Sequence, residues 1–178
     1  QASLDADGLP YSTDYHLGIM LEVPSAVWQL ADMLPHIDFV SLGTNDLTQY
    51  VFAVDRGNSR VTRWYRQFHP VILRLIHQTC EQVAAVPGKR LSICGEIAGL
   101  SLGMPFLLGA GIRYVSMNRW RIPAVREAAG RVRISDCRQL LDEALRTTRD
   151  DDVVKLMSDF ARDHGLGTND SVPMRQTP

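Results

Sequence analysis

The sequence has little of what marks the specialised protein classes. Three cysteines, Cys80, Cys94 and Cys137, are an odd number without paired zinc-type spacing. That excludes a disulfide framework and a structural zinc knuckle, and reads as reduced thiols in a cytoplasmic protein. The net charge is -1, too balanced for an electrostatic footprint on nucleic acid or an anionic membrane. No apolar run reaches spanning length, and the amino terminus lacks a basic region followed by a hydrophobic one. Low-complexity segments and short-period repeats are missing as well. What is present is ordinary: 178 residues, 45% hydrophobic and 22% charged, enough for one soluble domain with its own core.

Apolar runs alternate with helical patterns along the chain. Residues 1–16 are polar and read as an irregular lead-in. A first buried strand, Leu17 to Leu21, ends on Glu22, and Pro24 then opens a helix carrying Val27, Leu30 and Leu34. Phe39-Val40-Ser41-Leu42 is the second strand. It breaks at Gly43, and Asn45-Asp46 is expected to cap a helix from Leu47 to Phe52. After a basic and aromatic connection, Arg60 to Phe68, Pro70 opens a long helix to about Ala85, with His69 placed to cap it. Leu91 to Cys94 and Tyr114 to Met117 are the third and fourth strands. Helices follow from Pro123, from Ser135 as a cap, and from Asp150. The order predicts α/β architecture built from βα units. Residues 165–178 read as a disordered tail, and its Gly167-Thr168-Asn169-Asp170, a second copy of a tetrapeptide at 43–46, has no strand before it.

The strand ends carry the chemistry. In a parallel sheet the carboxyl ends of the strands lie along one edge, so Glu22, Asn45-Asp46 and Cys94 converge although they are distant in sequence. Glu22 and Asp46 are two carboxylates suited to Mg²⁺, which takes one or two protein carboxylates and fills its other positions with water and substrate oxygens. Arg56, in Ala53-Val54-Asp55-Arg56, offers a fork for a phosphate or carboxylate. A free thiol is mainly protonated at neutral pH, so Cys94 suits a proton donor better than a nucleophile. The same residues also fit plainer roles: Asn45-Asp46 a helix cap, Asp55 and Arg56 a surface ion pair, Glu22 an acid paired with an arginine, Cys94 an inert core thiol.

The decameric stretch Ser41-Leu42-Gly43-Thr44-Asn45-Asp46-Leu47-Thr48-Gln49-Tyr50, with Ala53 to Arg56, resembles the signature of the phosphoenolpyruvate-utilising enzymes. Gly18-Ile19-Met20-Leu21-Glu22-Val23-Pro24 and Cys94-Gly95-Glu96-Ile97-Ala98-Gly99 resemble its flanking motifs. Together, from about Leu17 to Phe160, they resemble the phosphoenolpyruvate–protein phosphotransferases, Enzyme I of the phosphotransferase system. Leu21 to Ser25, His69-Pro70 and Val115 to Asn118 look closer to the nitrogen-related paralogue. The resemblance implies a (β/α)8 barrel of TIM type, with residues 17–164 its carboxyl-terminal half plus terminal helices. It implies Mg²⁺ held by Glu22 and Asp46, and phosphoenolpyruvate held by Asn45, Asp46 and Arg56. It implies Cys94 as the acid that protonates the enolpyruvate carbon on the way to pyruvate.

Two positions depart from the family pattern: Leu100 stands where an acid is usual, and Asn118-Arg119-Trp120 diverges. Such barrels take eight strands and about 250 residues, against four strands expected here. The chain begins at Gln1, which reads as an excised fragment. The phosphoryl-accepting histidine belongs, in the family, to another domain, and His16, His36, His69, His77 and His164 lack its context. Transfer to a phosphocarrier protein therefore runs through missing domains, and the fragment alone is expected to be inactive. A pyruvate phosphate dikinase or phosphoenolpyruvate synthase barrel is the alternative enzyme reading. The non-enzymatic one is a dimerisation fragment, with Arg63, Trp64, Tyr65 and Arg66 at the interface of a homodimer or in a covered loop. Neither nucleic acid nor membrane is an expected partner.

Overall fold

Short runs rich in Ile, Val and Leu form the strands, and proline or polar residues start the helices that return the chain. In the computed structural model, which describes residues 2–167, the elements run in order. Helix α1 (Ala2–Ala6) precedes β1 (Gly18–Leu21), then α2 (Pro24–Trp28) and α3 (Leu30–Met33). Strand β2 (Phe39–Gly43) leads into α4 (Thr44–Phe52) and α5 (Pro70–Ala84). Strand β3 (Arg90–Cys94), α6 (Met104–Gly109) and β4 (Tyr114–Val115) follow, and α7 (Ile122–Arg131), α8 (Ile134–Arg146) and α9 (Asp150–Asp163) close the described chain.

The four strands are parallel and ordered β1-β2-β3-β4, so each βα unit lays its strand beside the last. Right-handed crossovers in sequential order bring all the connecting helices to one face. The burial pattern agrees. Leu21, Val40, Leu42 and Ile93 are fully buried in one core with Leu30, Leu47, Ile72, Ile76 and Phe106 from the helices. Their neighbours point the other way: Met20 is 52% exposed, and Ser41, Ser92 and Cys94 are half-buried. Parallel sheets are ordinarily covered on both faces. This one is covered on one.

Several expectations are refined. The lead-in contains α1, none of whose residues is buried. The helix from Pro24 is broken at Gln29, whose backbone (φ -92, ψ 2) is not helical. The fourth strand pairs only at Ser92↔Tyr114 and Ile93↔Val115. Asn45 and Asp46 do not cap α4: Gly43 holds the cap position without a side-chain bond, and the helix starts at Thr44. Ser135 does not cap α8, since the helix begins at Ile134 and the hydroxyl turns to Asp136 Oδ1 at 2.9 Å. His69 does cap α5, with Nδ1 accepting from Val71 N–H at 3.2 Å. Of the expected tail, residues 168–178 lie outside the described residues, as do three positions of the second tetrapeptide. Leu166, by contrast, is packed at 5% exposure.

The terminal helices are fastened to the core by two devices. Arg74 on α5 donates to the carbonyls of Leu145 (3.1 Å) and Thr147 (2.7 Å), the open carbonyls at the end of α8. Gly109 lets α6 meet α8, because a Cβ there would overlap the backbone carbonyl of Cys137.

Candidate active site

Register explains the gathering of the strand-end residues. Gly43 pairs with Cys94, and Leu21 pairs with Leu42, so Glu22 follows β1 at the level of Gly43. Parallel partners share a face, which puts Met20, Ser41, Gly43, Ser92 and Cys94 on the uncovered side of the sheet. A Cβ added at Gly43 would lie 3.0 Å from Glu22 Oε2 and 3.2 Å from Met20 Sδ. Gly43 is therefore the side-chain-free position between the Glu22 carboxylate and the Cys94 thiol. Cys94 Sγ lies 3.8 Å from Met20 Sδ and 3.6 Å from the Leu42 carbonyl, with Ser41 Oγ at 4.0 Å. The thiol is half-buried at the rim, whereas Cys80 and Cys137 are buried in the interior.

Asp46 sits in the first turn of α4, where the exposed N–H groups of the helix favour a carboxylate. Glu22 and Asp46 are each half-buried. Among the described residues no group of three or more His, Cys, Asp or Glu forms a metal cluster. The carboxylates here are Glu22, beside Gly43, and Asp46, in the first turn of α4. That chemistry fits a hard cation that keeps water or substrate oxygens in its remaining positions, and it does not fit zinc.

The turns after β2 and β3 are tied together at close range. Thr44 Oγ1 donates to the Cys94 carbonyl at 2.8 Å, and Glu96 N–H donates to Asn45 Oδ1 at 2.9 Å. Gly95 makes this approach possible: its φ is +104, and a Cβ would overlap Thr44 Oγ1 and come within 2.8 Å of Asn45 Oδ1. Thus the asparagine read as a cap acceptor spends its oxygen on the neighbouring strand's turn instead. Its Nδ2 is left to donate.

Arg56 is exposed on the loop after α4. Ala53 ends that helix in the left-handed region, φ +51, and Arg56 N–H donates to Gln49 Oε1 at 3.2 Å. The loop returns to the rim through Tyr65, whose hydroxyl donates to Asn45 O at 3.3 Å and Oδ1 at 3.4 Å. Gln67 Nε2 donates to Glu96 Oε2 at 2.6 Å. Sequence reading missed Tyr65, Gln67, Thr44 and Glu96 as site residues. Tyr65 stood in a basic, aromatic stretch that read as a connection or interface, and nothing local pairs it with a residue twenty positions earlier. Arg66 turns away from the rim to pair with Asp150 at 3.5 Å. Two cavities, about 490 Å³ among α6, β4 and α7 and about 510 Å³ by Phe52, His69 and Asp150, lie away from these groups. The strand-end site is an open shelf on the uncovered face.

A parallel sheet presenting acids, an amide and a thiol along its carboxyl edge defines the class, an α/β domain with a strand-end site. The family is specific. The family described as "PEP-utilising enzyme, PEP-binding domain" matches residues 1–134, and the chain belongs to it. Over 157 residues the chain is 38% identical to multiphosphoryl transfer protein 1 of Escherichia coli K12, covering 88% of this chain and 19% of that protein. It is 34% identical over 166 residues to the phosphoenolpyruvate-protein phosphotransferase of Haemophilus influenzae, covering 93% of this chain and 29% of the other. A Salmonella typhimurium protein named "phosphoenolpyruvate-dependent phosphotransferase system" is 38% identical over 151 residues, 85% of this chain and 20% of its own length. The chain therefore spans less than a third of each of these curated relatives.

Proposed function

We propose that this chain is the carboxyl-terminal half of the phosphoenolpyruvate-binding barrel of a phosphoenolpyruvate–protein phosphotransferase. In this reading residues 17–164 form the half-barrel with its terminal helices, and the uncovered face of the sheet is the inside of a (β/α)8 barrel. The observation that carries the reading is the gap at Gly43, flanked by the Glu22 carboxylate and in register with Cys94. Sequential parallel strands with helices on one face support barrel closure by upstream strands.

Glu22 and Asp46 would hold Mg²⁺. When bound, Mg²⁺ supplies positive charge against the oxygens that become negative as an enolate forms. Asn45 Nδ2 donates to a substrate oxygen, and the Arg56 fork holds the phosphoryl oxygens during transfer. The phosphoryl group passes to a histidine on another domain and then to a phosphocarrier protein. Cys94 then gives its thiol proton to the methylene carbon, completing pyruvate. The parent enzyme works in the cytoplasm as a homodimer. The dikinase-type barrel has no observation of its own in its favour.

The test is binding of phosphoenolpyruvate to the chain with and without Mg²⁺, read as a rise in melting temperature. A ligand at a hundredfold excess over Kd stabilises by about 2.7 kcal/mol. Stabilisation that requires both ligands and disappears in Glu22→Gln and Asp46→Asn is the expected result. Unchanged binding in both variants would sink the assignment of the metal ligands.

A further inference from the structure

We propose that Tyr65 is a positioning residue for this site: its hydroxyl holds the Asn45 carboxamide so that Nδ2 faces the rim, and couples Asn45 to the loop of Arg56. The inference rests on the proposed function for the ligand concerned, phosphoenolpyruvate, but its geometry stands independently.

The two ends of a carboxamide are nearly the same size, so only its hydrogen-bond partners decide which end faces a ligand. Here Oδ1 accepts from Glu96 N–H at 2.9 Å and lies 3.4 Å from the Tyr65 hydroxyl, which also reaches the Asn45 carbonyl at 3.3 Å. Inverting the amide would set Nδ2 against the Glu96 N–H, donor against donor. The Tyr65 hydroxyl alone could accommodate inversion by rotating to accept. The Glu96 N–H cannot, so it fixes Oδ1 on its own side. The Glu96 N–H and the Tyr65 hydroxyl both meet Oδ1, so the donor left for a ligand is Nδ2. Such a donor suits an anion and repels a cation.

Protonation of the phenol is secure. Burial, then the Glu96 carboxylate, push Tyr65 up to about 12, and the opposing pull of Arg56 does not cancel them. The hydroxyl therefore carries its proton at neutral pH. Because Gln67, two residues on, holds the Glu96 carboxylate at 2.6 Å, the loop returning from Arg56 is fastened to both strand-end turns. Arg56 is exposed on this loop, its backbone N–H held by Gln49 Oε1.

The experiment uses the whole ¹⁵N-labelled chain and a Tyr65→Phe variant, which removes one oxygen and keeps the ring. In the wild type a slowly exchanging Tyr65 hydroxyl proton with a nuclear Overhauser contact to Asn45 is expected; a freely exchanging hydroxyl overturns the proposal even if the variant does not fold. In Tyr65→Phe the Asn45 side-chain amide pair and the Arg56 Nε signal shift and broaden while most backbone signals stay in place. Affinity for phosphoenolpyruvate with Mg²⁺ falls about tenfold, the size of one hydrogen bond. Unmoved Asn45 and Arg56 signals, or equal affinity, overturn the positioning role and leave the proposed function standing. If the wild type does not bind phosphoenolpyruvate but the Asn45 and Arg56 signals still respond to Tyr65→Phe, positioning stands and the proposed function falls.

Discussion

Gly95 and Cys94 are neighbours with opposite demands, and each can be tested alone. Under the proposed function Cys94 needs an open side toward the substrate, whereas Gly95 needs to carry no side chain. Its φ of +104 with ψ -179 is a backbone region reserved for glycine, and a methyl group would press on Thr44 and Asn45. Gly95→Ala is expected to cost about 2 kcal/mol by strain, read as a lower denaturation midpoint, and to displace the Asn45 amide signals. A variant as stable as wild type would show that the turn can yield. His69 offers a pH test. Burial, the largest influence, holds its pKa below the usual 6.5, and Nδ1 must stay unprotonated to accept from Val71 N–H. The native state therefore binds its proton less readily than the unfolded chain. The stabilising difference is complete above about pH 6.5 and is lost as pH falls through the lower, folded-state value. His69→Asn keeps a cap acceptor that does not titrate. Its melting temperature should fall less than that of wild type between pH 7 and 5, and parallel curves would refute the assignment.

At the scale of elements, the close crossing of α6 on α8 decides how the carboxyl-terminal helices attach. Gly109→Ala places a methyl group into the Cys137 carbonyl, which belongs to backbone and cannot rotate away. Overpacking of this kind costs about 3 kcal/mol, and urea denaturation would measure it. Arg74→Ala removes donors from the carbonyls of Leu145 and Thr147 and should cost about 1 kcal/mol, since Arg74 is exposed and water replaces it in part. A loss concentrated in α8 and α9 amide protection, with β2 unaffected, is the expected pattern by hydrogen exchange.

For the whole molecule the uncovered sheet face is the dominant fact. Met20 and Tyr114 are exposed on it at 52% and 58%, and among the described residues β1 and β4 are the outer strands of the sheet. Open sheet edges and exposed side chains such as Met20 and Tyr114 invite association, which favours either further strands or a second copy as cover. Under the proposed function the chain alone, given phosphoenolpyruvate and Mg²⁺, should release no pyruvate. Addition of the upstream residues should restore release. Activity from the chain by itself would overturn that division of labour. Among the described residues no helix is long and apolar enough to cross a membrane.

The sequence by itself determined the strands, since four apolar runs bounded by Gly, Pro and acids have few other uses. It determined the long helices too: α5 from Pro70 and α9 from Asp150 begin where the residues said. The strand-end positions of Glu22 and Cys94 were also readable, because each directly follows or ends an apolar run. What only the tertiary structure decided is direction and partnership. Asn45 looked like a helix cap, yet Gly95 lets the next strand's turn come close enough to claim its oxygen. Tyr65 looked like a linker residue, yet the loop folds back twenty positions to reach Asn45. Contacts between segments so far apart leave no periodicity in the sequence, because they depend on how the strands stack and not on the pattern within any one of them.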